Sequence, residues 1–260
     1  MSTEAAAGTV AGGGAEAEAV TGRIHSWDLS TGVDGPGTRF VLFTSGCPLR
    51  CLYCANPDTW HMRDGRSRTV DEVMGEIEKY RPFLTTAGGG VTLTGGEPLL
   101  QPRFTGAVLR RCKEAGLHTA IDTSGLLGAR ATDEMLADTD LVLLDVKSFD
   151  VRTYRRLTGG ALAPTLSFAT RLDRLGVPVW IRYVLVPGWT DDLAAVDGLA
   201  EFVGGLGTVR RVDVLPFHRL GAGKYEALGI PFPLRDTPAP DPALVEEVRR
   251  RFRAHGKDAY

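Results

Sequence analysis

The 260-residue sequence has no apolar run near the roughly 18 residues that a membrane-spanning helix requires. Its first 20 residues are rich in alanine, glycine and glutamate and lack the basic-then-apolar order of a signal peptide. A surplus of basic residues is also missing, since the formal net charge is −2. These absences exclude a membrane protein, argue against nucleic-acid binding and predict a cytoplasmic location.

Cysteine is scarce, and its distribution is uneven. Three of the four cysteines form Cys47-x3-Cys51-x2-Cys54, whereas Cys112 stands alone. This spacing does not resemble a disulfide framework and favours a reducing compartment. Three thiolates in one short loop select an iron–sulfur cluster, zinc or copper(I), but a structural zinc site wants four closed ligands. On a 4Fe–4S cluster, three cysteines leave one iron open for chemistry.

Apolar runs typical of strands alternate with segments of helical period through most of the chain. Strands are predicted over residues 39–44, 91–94, 118–121, 141–144, 179–186 and 209–215. Helices are predicted from about residue 69 onward and over about 103–115, 152–157, 166–175, 191–203 and 242–254. This order predicts an α/β fold with a largely parallel sheet. No repeat of about 20–50 residues and no internal linker is visible. We therefore predict a disordered tail over residues 1–21 and a single domain over residues 22–260.

Polar residues follow the predicted strands at the points where the strands end. They are Cys47, Glu97, Asp122, Asp145, Lys147 and His218. In parallel α/β folds the carboxyl ends of the strands lie on one side of the sheet, where sites are built. The sequence thus predicts one site that gathers these side chains.

Several motifs together resemble the pyruvate formate-lyase activating enzymes of the radical S-adenosylmethionine (SAM) superfamily. The cysteine triplet is the hallmark of the superfamily. The closer resemblance rests on GRIHS at 22–26, VDGPGTRF at 33–40, CLYC at 51–54, GGGVT at 88–92, LDVK at 144–147, WIRY at 180–183 and VPGW at 186–189. It implies a partial (β/α)6 barrel with the site at the carboxyl ends of the strands.

The resemblance also implies the cofactors and the reaction. Cys47, Cys51 and Cys54 would hold one 4Fe–4S cluster, and SAM would chelate its fourth iron. Reductive cleavage of SAM would give methionine and a 5′-deoxyadenosyl radical, which takes hydrogen from a glycine of pyruvate formate-lyase. Flavodoxin or ferredoxin is the implied electron donor, and a monomer the implied state.

Further residues are assigned roles by the same resemblance. The SAM contacts are Tyr53, Ala55, Gly95, Gly96, Asp122, Thr123, Asp145, Val146, Lys147, Arg182 and His218. Asp122, Thr123 and Asp145 would also hold a monovalent cation. The loop Asp34-Gly35-Pro36-Gly37 would help to admit the glycine-bearing segment of the partner, and Cys112 is interpreted as a buried, inert thiol.

Other functions fit parts of the sequence. The chain could activate another glycyl-radical enzyme, such as an anaerobic ribonucleotide reductase, or act on a small molecule by radical SAM chemistry. A non-catalytic metal-binding module is the alternative from a different class. The acids at the strand ends and Lys147 argue against that module.

Overall fold

An eight-stranded sheet forms the centre of the computed structural model, which describes residues 19–260. The strands are β1 Thr21–Thr31, β2 Thr38–Thr44, β3 Arg66–Thr69, β4 Gly90–Gly95, β5 His118–Thr123, β6 Leu141–Asp145, β7 Val179–Leu185 and β8 Val209–Pro216. Their order across the sheet is β3-β1-β2-β4-β5-β6-β7-β8. β2 and β4 to β8 are parallel neighbours. These are the six predicted strands, and the open sheet confirms the partial barrel.

Two antiparallel strands at one edge of the sheet were not predicted. β1 pairs with β2, and β3 pairs with the first residues of β1. The outer part of β1 is half exposed and β3 reads Arg-Ser-Arg-Thr, so neither carries the apolar pattern of a buried strand. The tail boundary is also corrected, because Thr21 is already part of β1. Residues 1–18 of the predicted tail lie outside the described residues.

The helices follow the strands in the predicted alternation. They are α1 Val70–Thr86, α2 Pro102–Glu114, α3 Asp133–Ala137, α4 Val151–Thr158, α5 Ala163–Leu175, α6 Leu193–Gly204, α7 Ala222–Ala227 and α8 Pro242–Ala254. The short helices α3 and α7 were not predicted. In residues 19–260, no helix is long and apolar enough to cross a membrane.

Local chemistry sets the ends of these helices. At the start of α1, the Thr69 side chain accepts from the Glu72 backbone N–H, and the Glu72 carboxylate accepts from the Thr69 N–H. After α2 the chain turns at Gly116 with φ of 74°, and the Leu117 N–H donates to Cys112 O at 3.0 Å. Both ends therefore lie where the sequence indicates.

Arg39 is a fully buried cation on β2, inside the barrel. Its guanidinium donates to Thr92 Oγ1 at 2.9 Å, to Val91 O at 2.5 Å and to His118 O at 3.3 Å. Burial lowers the pKa of Arg39 to about 10, an effect that Asp140 and Asp34 partly oppose through their charges. The Thr92 hydroxyl in turn donates to Asp34 O at 2.7 Å. Through Thr92, Arg39 thus helps to attach strand β4 to the loop that precedes β2.

Replacing Arg39 with methionine should lower the free energy of unfolding by about 2–4 kcal/mol. The shorter apolar side chain leaves the buried carbonyl oxygens of Val91 and His118 without their donor. Urea unfolding at neutral pH measures the change. Arg66→Met, at an exposed position on β3, is the control and should cost less than about 0.5 kcal/mol. Equal losses in the two variants would contradict this role.

Candidate active site

A cavity of about 260 Å³ opens at the carboxyl ends of the parallel strands. This is room for a ligand much larger than a water molecule. Its lining comes from the segment between β2 and β3 and from the ends of β4, β5, β6, β7 and β8. The predicted gathering of polar strand ends is therefore present in the fold.

The three thiols of the cysteine triplet all line this cavity. Burial raises the pKa of Cys47 and of Cys51 to about 12, and it also raises the pKa of Cys54. A bound metal reverses this tendency, because its positive charge favours the thiolate. The fold thus brings three soft donors, Cys51 buried and the other two half-buried, to the wall of one cavity.

An ion pair formed by Asp145 and Lys147 lies beside the thiols. Lys147 Nζ is 2.5 Å from Asp145 Oδ2 and 5.6 Å from the centre of the Tyr53 ring. Burial opposes the charge of Lys147, but Asp145, Tyr53 and Cys51 hold its pKa well above the usual range. Lys147 is therefore a fixed positive charge at the wall of the cavity.

A second charged group joins three separate elements. Arg182 Nη1 is 3.0 Å from Asp122 Oδ2 and 3.9 Å from Asp34 Oδ1. Thr94 Oγ1 also donates to Asp122 Oδ2 at 2.9 Å. Burial raises the pKa of Asp122 to about 6 even though Arg182 opposes this shift. Arg182 is thus ion-paired within the chain, and it links the loop of Asp34 to the cavity.

Glu97 is buried and supports the floor of the site. Its carboxylate accepts hydrogen bonds from Thr123 Oγ1 at 2.6 Å and from Ser124 Oγ at 2.6 Å. It also accepts from the backbone N–H groups of Ser124 and Leu99. Glu97 thereby sets the position of two residues that line the cavity.

The glycine pair Gly95 and Gly96 packs closely against neighbouring backbone. Gly95 has φ of 108°, and a Cβ there would lie 2.4 Å from the backbone N of Thr44. A Cβ at Gly96 would lie 2.3 Å from Gly46 O, just before Cys47. Both glycines line the cavity, but close packing against neighbouring backbone already requires them.

An apolar cluster closes the site from the side of β8. Its buried members are Val186, Phe217, Tyr225, Phe232 and Leu234, packed against Leu52, Tyr53 and Trp60. Lys224 on α7 donates to Asn56 Oδ1 at 2.8 Å and pairs with Asp58 Oδ2 at 3.0 Å. These contacts attach residues after β8 to the cysteine-bearing segment, residues 47–58.

Nearly every predicted site residue lies at this cavity. Those that line it are Asp34, Cys47, Cys51, Tyr53, Cys54, Ala55, Gly95, Gly96, Asp122, Thr123, Asp145, Lys147, Arg182 and His218. Val146 lies between two lining residues, but its side chain is buried in the core and outside the lining, so its SAM contact stays a prediction. Gly35, Pro36 and Gly37 also lie outside the lining, although they share a loop with Asp34.

The sequence did not point to several other lining residues. They are Phe43, Leu49, Asn56, Thr94, Ser124, Val184, Leu215, Pro216 and Phe217. Phe43, Thr94 and Val184 alternate with buried outward residues near the ends of β2, β4 and β7, so period-two alternation was the available signal. Leu215 and Pro216 end β8, and the other residues lie in loops, where no periodic signal exists.

The donor set suits a cluster better than a single ion. Within residues 19–260, no three cysteine, histidine or acidic side chains converge tightly enough to hold one metal ion. A cluster makes a different demand, because each thiolate ligates a separate iron. The Tyr53 hydroxyl is also buried without a hydrogen-bond partner, and the pocket carries both signs of charge. A cluster with a zwitterionic ligand fits these features.

Glu97→Gln should weaken SAM binding more than it slows turnover. The amide keeps the size of the side chain but turns an N–H donor toward groups that themselves donate, so Thr123 and Ser124 lose their fixed positions. We expect KM for SAM to rise about tenfold, equal to about 1.4 kcal/mol. Glu114→Gln, exposed at the end of α2, is the matched control. An unchanged KM for the Glu97 variant would refute the role.

Comparison with known proteins identifies the class. The parallel strands and the cysteine triplet define a radical SAM enzyme, and the radical SAM superfamily model matches residues 41–198. A curated relative, the pyruvate formate-lyase-activating enzyme of Staphylococcus aureus (strain USA300), is 44% identical over 243 residues. The match covers 91% of this chain and 97% of that protein. The chain therefore belongs to the radical SAM superfamily and, within it, to the pyruvate formate-lyase-activating enzymes.

Solved structures agree with this placement. A domain of the pyruvate-formate lyase-activating enzyme from Bacteroides vulgatus matches with a TM-score of 0.57 and 27% identity, over 66% of this chain and 98% of that one. A radical SAM methyltransferase from Sphaerobacter thermophilus matches with a TM-score of 0.59 and 19% identity, over 89% of this chain and 71% of that one. The second likeness concerns the fold alone. Membership of the superfamily implies SAM and a 4Fe–4S cluster as cofactors.

Proposed function

We propose that this enzyme activates pyruvate formate-lyase by creating a glycyl radical in it. The observation that carries the proposal is the position of the three thiols, which line one cavity together with the charged ends of β5, β6 and β7. When bound at this cavity, the cluster and SAM would together supply one-electron chemistry capable of removing hydrogen from a glycine of the partner. The chain's own residues bind, orient and exclude water.

Cys47, Cys51 and Cys54 would hold one cluster through three of its irons. The backbone hydrogen bonds of the cysteine loop favour this assignment. The Cys47 N–H donates to Trp60 O at 3.0 Å, and the Cys54 N–H donates to Cys51 O at 3.1 Å, so the backbone of the loop is fixed before a metal binds. Such preorganisation reduces the entropy lost when the thiolates ligate iron.

The charges around the cavity suit the polar ends of SAM. Lys147 would attract the carboxylate, whereas Asp145 and Asp122 would attract the ammonium group and the ribose hydroxyls. Tyr53 and His218 would contact the adenosine part, and the Leu220 N–H already donates to His218 Nδ1 at 3.3 Å. A monovalent cation at Asp122, Thr123 and Asp145 stays a prediction.

The loop Asp34-Gly35-Pro36-Gly37 would receive the glycine-bearing segment. Asp34 lines the cavity, and its backbone oxygen is held by the Thr92 hydroxyl. Gly37 has φ of 65°, and a Cβ there would lie 2.4 Å from Gly88 O, so the loop is packed closely against the turn before β4. A fixed rim beside the charged residues supports a role in presenting a peptide.

Anaerobic EPR on the iron-reconstituted enzyme tests the proposal, with SAM, dithionite and a pyruvate formate-lyase present. The expected result is a glycyl-radical doublet that grows together with 5′-deoxyadenosine. Deoxyadenosine without the doublet would assign the chemistry to another substrate, such as a different glycyl-radical enzyme. A fully loaded cluster that yields neither product would contradict radical SAM activity.

A further inference from the structure

Four exposed arginines lie on the cysteine-bearing segment and on the neighbouring helix α4. Arg50 lies between the first two cysteines, and Arg152, Arg155 and Arg156 lie on α4. Within residues 19–260, none of the four has an acidic partner within 4.0 Å. We call these residues the arginine surface. It is a local concentration of positive charge on a chain whose formal net charge is −2.

The arginine surface is attached directly to the cysteine-bearing segment. The Arg50 N–H donates to Thr158 O at 2.8 Å, and the Leu52 N–H donates to Leu157 O at 2.9 Å. A Cβ at Gly160 would lie 2.5 Å from Leu49 Cδ2, so the chain after α4 also packs against this segment. Arg155 precedes Thr158 by three residues, about 4.5 Å along the helix axis. The charges of α4 therefore lie close to the backbone that carries Cys51.

Two of these guanidinium groups are held in fixed positions. Arg50 Nη1 donates to Cys47 O and to Leu49 O, each at 2.7 Å, and its guanidinium carbon is 5.1 Å from the centre of the Trp60 ring. The guanidinium carbon of Arg156 is 5.0 Å from the centre of the Trp189 ring. Stacked guanidinium groups keep N–H donors available for carboxylates of a partner.

The acids near α4 are used locally. Asp150 accepts from the Thr153 N–H at 2.7 Å as the N-cap of α4. In the loop that carries Trp189, Asp191 accepts from the Gly188 N–H at 2.8 Å, and Asp192 accepts from the Ala194 N–H at 3.0 Å. Hydrogen bonds to Thr153 and the nearby charge of Arg152 lower the pKa of Asp150, so this carboxylate partly compensates Arg152. Among the described residues, no carboxylate lies within 4.0 Å of any of the four guanidinium groups.

We propose that the arginine surface is the docking site of a small acidic electron-carrier protein with a flavin or an iron–sulfur centre. This inference rests on the proposed function, because each SAM cleaved needs one electron from outside the chain. The carrier is oxidised by one electron and the cluster is reduced by one. Electron transfer falls steeply with distance, so the carrier must approach the cysteine-bearing segment. Complementary charge steers that encounter and speeds association.

The test compares two double variants of the reconstituted holoenzyme. Arg152→Glu with Arg155→Glu reverses two charges of the arginine surface. Arg174→Glu with Arg210→Glu makes the same charge change at exposed positions near the amino ends of β7 and β8, on the opposite side of the sheet. Arg155 and Arg174 both lie in the last turn of a helix, so the cost to the helix dipole is matched. Circular dichroism and thermal unfolding test whether both double variants fold. If the arginine-surface variant does not fold, Arg152→Gln with Arg155→Gln replaces it.

Anaerobic stopped-flow absorbance measures the rate at which a reduced flavodoxin, an acidic flavin carrier, reduces the cluster. We expect the arginine-surface variant to be about tenfold slower than wild type at low salt. The deficit should shrink as salt approaches about 1 M, where charges are screened within about 3 Å. The control variant should match wild type, and all three proteins should cleave SAM equally with dithionite.

Equal slowing in both double variants, or none in either, would overturn the docking site. A normal rate with flavodoxin combined with slow glycyl-radical formation under dithionite would overturn it too, because the surface would then bind the glycyl-radical enzyme. Failure of the proposed function is distinguishable, since wild type itself would then release no deoxyadenosine with dithionite.

Discussion

Replacing Cys51 with alanine is expected to abolish cluster assembly and all measurable SAM cleavage. Cys51 is the most buried of the three thiols that line the cavity, and two remaining thiolates leave a second iron without a protein ligand. Anaerobic reconstitution followed by iron analysis should give about four irons per wild-type chain and less than about one in the variant. The same result is expected for Cys47→Ala and Cys54→Ala.

Cys112→Ala is the matched control for this prediction. Its thiol is fully buried beside Met74, with Sγ 3.7 Å from Sδ, and burial raises its pKa to about 12. The variant should retain the full iron content and lose only about 1 kcal/mol of stability, as for other small core truncations. Iron loss in the Cys112 variant would refute its interpretation as an inert thiol, and a loaded cluster in the Cys51 variant would refute the ligand assignment.

Arg182→Met is expected to weaken SAM binding more than tenfold and to destabilise the fold. The substitution removes the guanidinium between Asp122 and Asp34 and leaves the buried Asp122 without its countercharge. Breaking a buried pair by removing one member costs about 3–5 kcal/mol. Urea unfolding gives the stability change, and equilibrium binding of SAM to the reconstituted enzyme gives the affinity.

A second substitution separates charge balance from recognition. Asp122→Asn in the Arg182→Met background removes the unpaired acid, so a large part of the lost stability should return. SAM affinity should not return, because both charges at the cavity wall are then gone. Stability losses that simply add in the double variant would show that the two residues do not act as a pair.

The cysteine triplet illustrates what local sequence can predict. Its three cysteines lie within eight residues, so the loop brings the thiols together almost regardless of the rest of the fold. The six parallel strands were equally accessible, because apolar runs such as Leu141–Asp145 mark strands covered on both faces. The strand ends then placed Asp145, Lys147 and His218 at one cavity, as predicted.

The edge of the sheet shows where sequence reasoning failed. β1 and β3 are half-exposed and polar, so their strand state depends on pairing with β2 and with each other rather than on an apolar pattern. The role of Glu97 was also hidden, because its four donors come from Leu99 after β4 and from Thr123 and Ser124 at the end of β5. Such contacts become visible only once the strands are aligned.

The sequence by itself determined which three thiols share one loop, the alternation of strands and helices and the side of the sheet on which the cavity lies. Only the tertiary structure decided that Arg182 meets Asp122. β6 separates β5 from β7, and two strand spacings of a flat sheet are about 9–10 Å. The curvature of the barrel turns both side chains inward and brings them to 3.0 Å. No local pattern encodes that distance, because it results from the closure of the whole sheet.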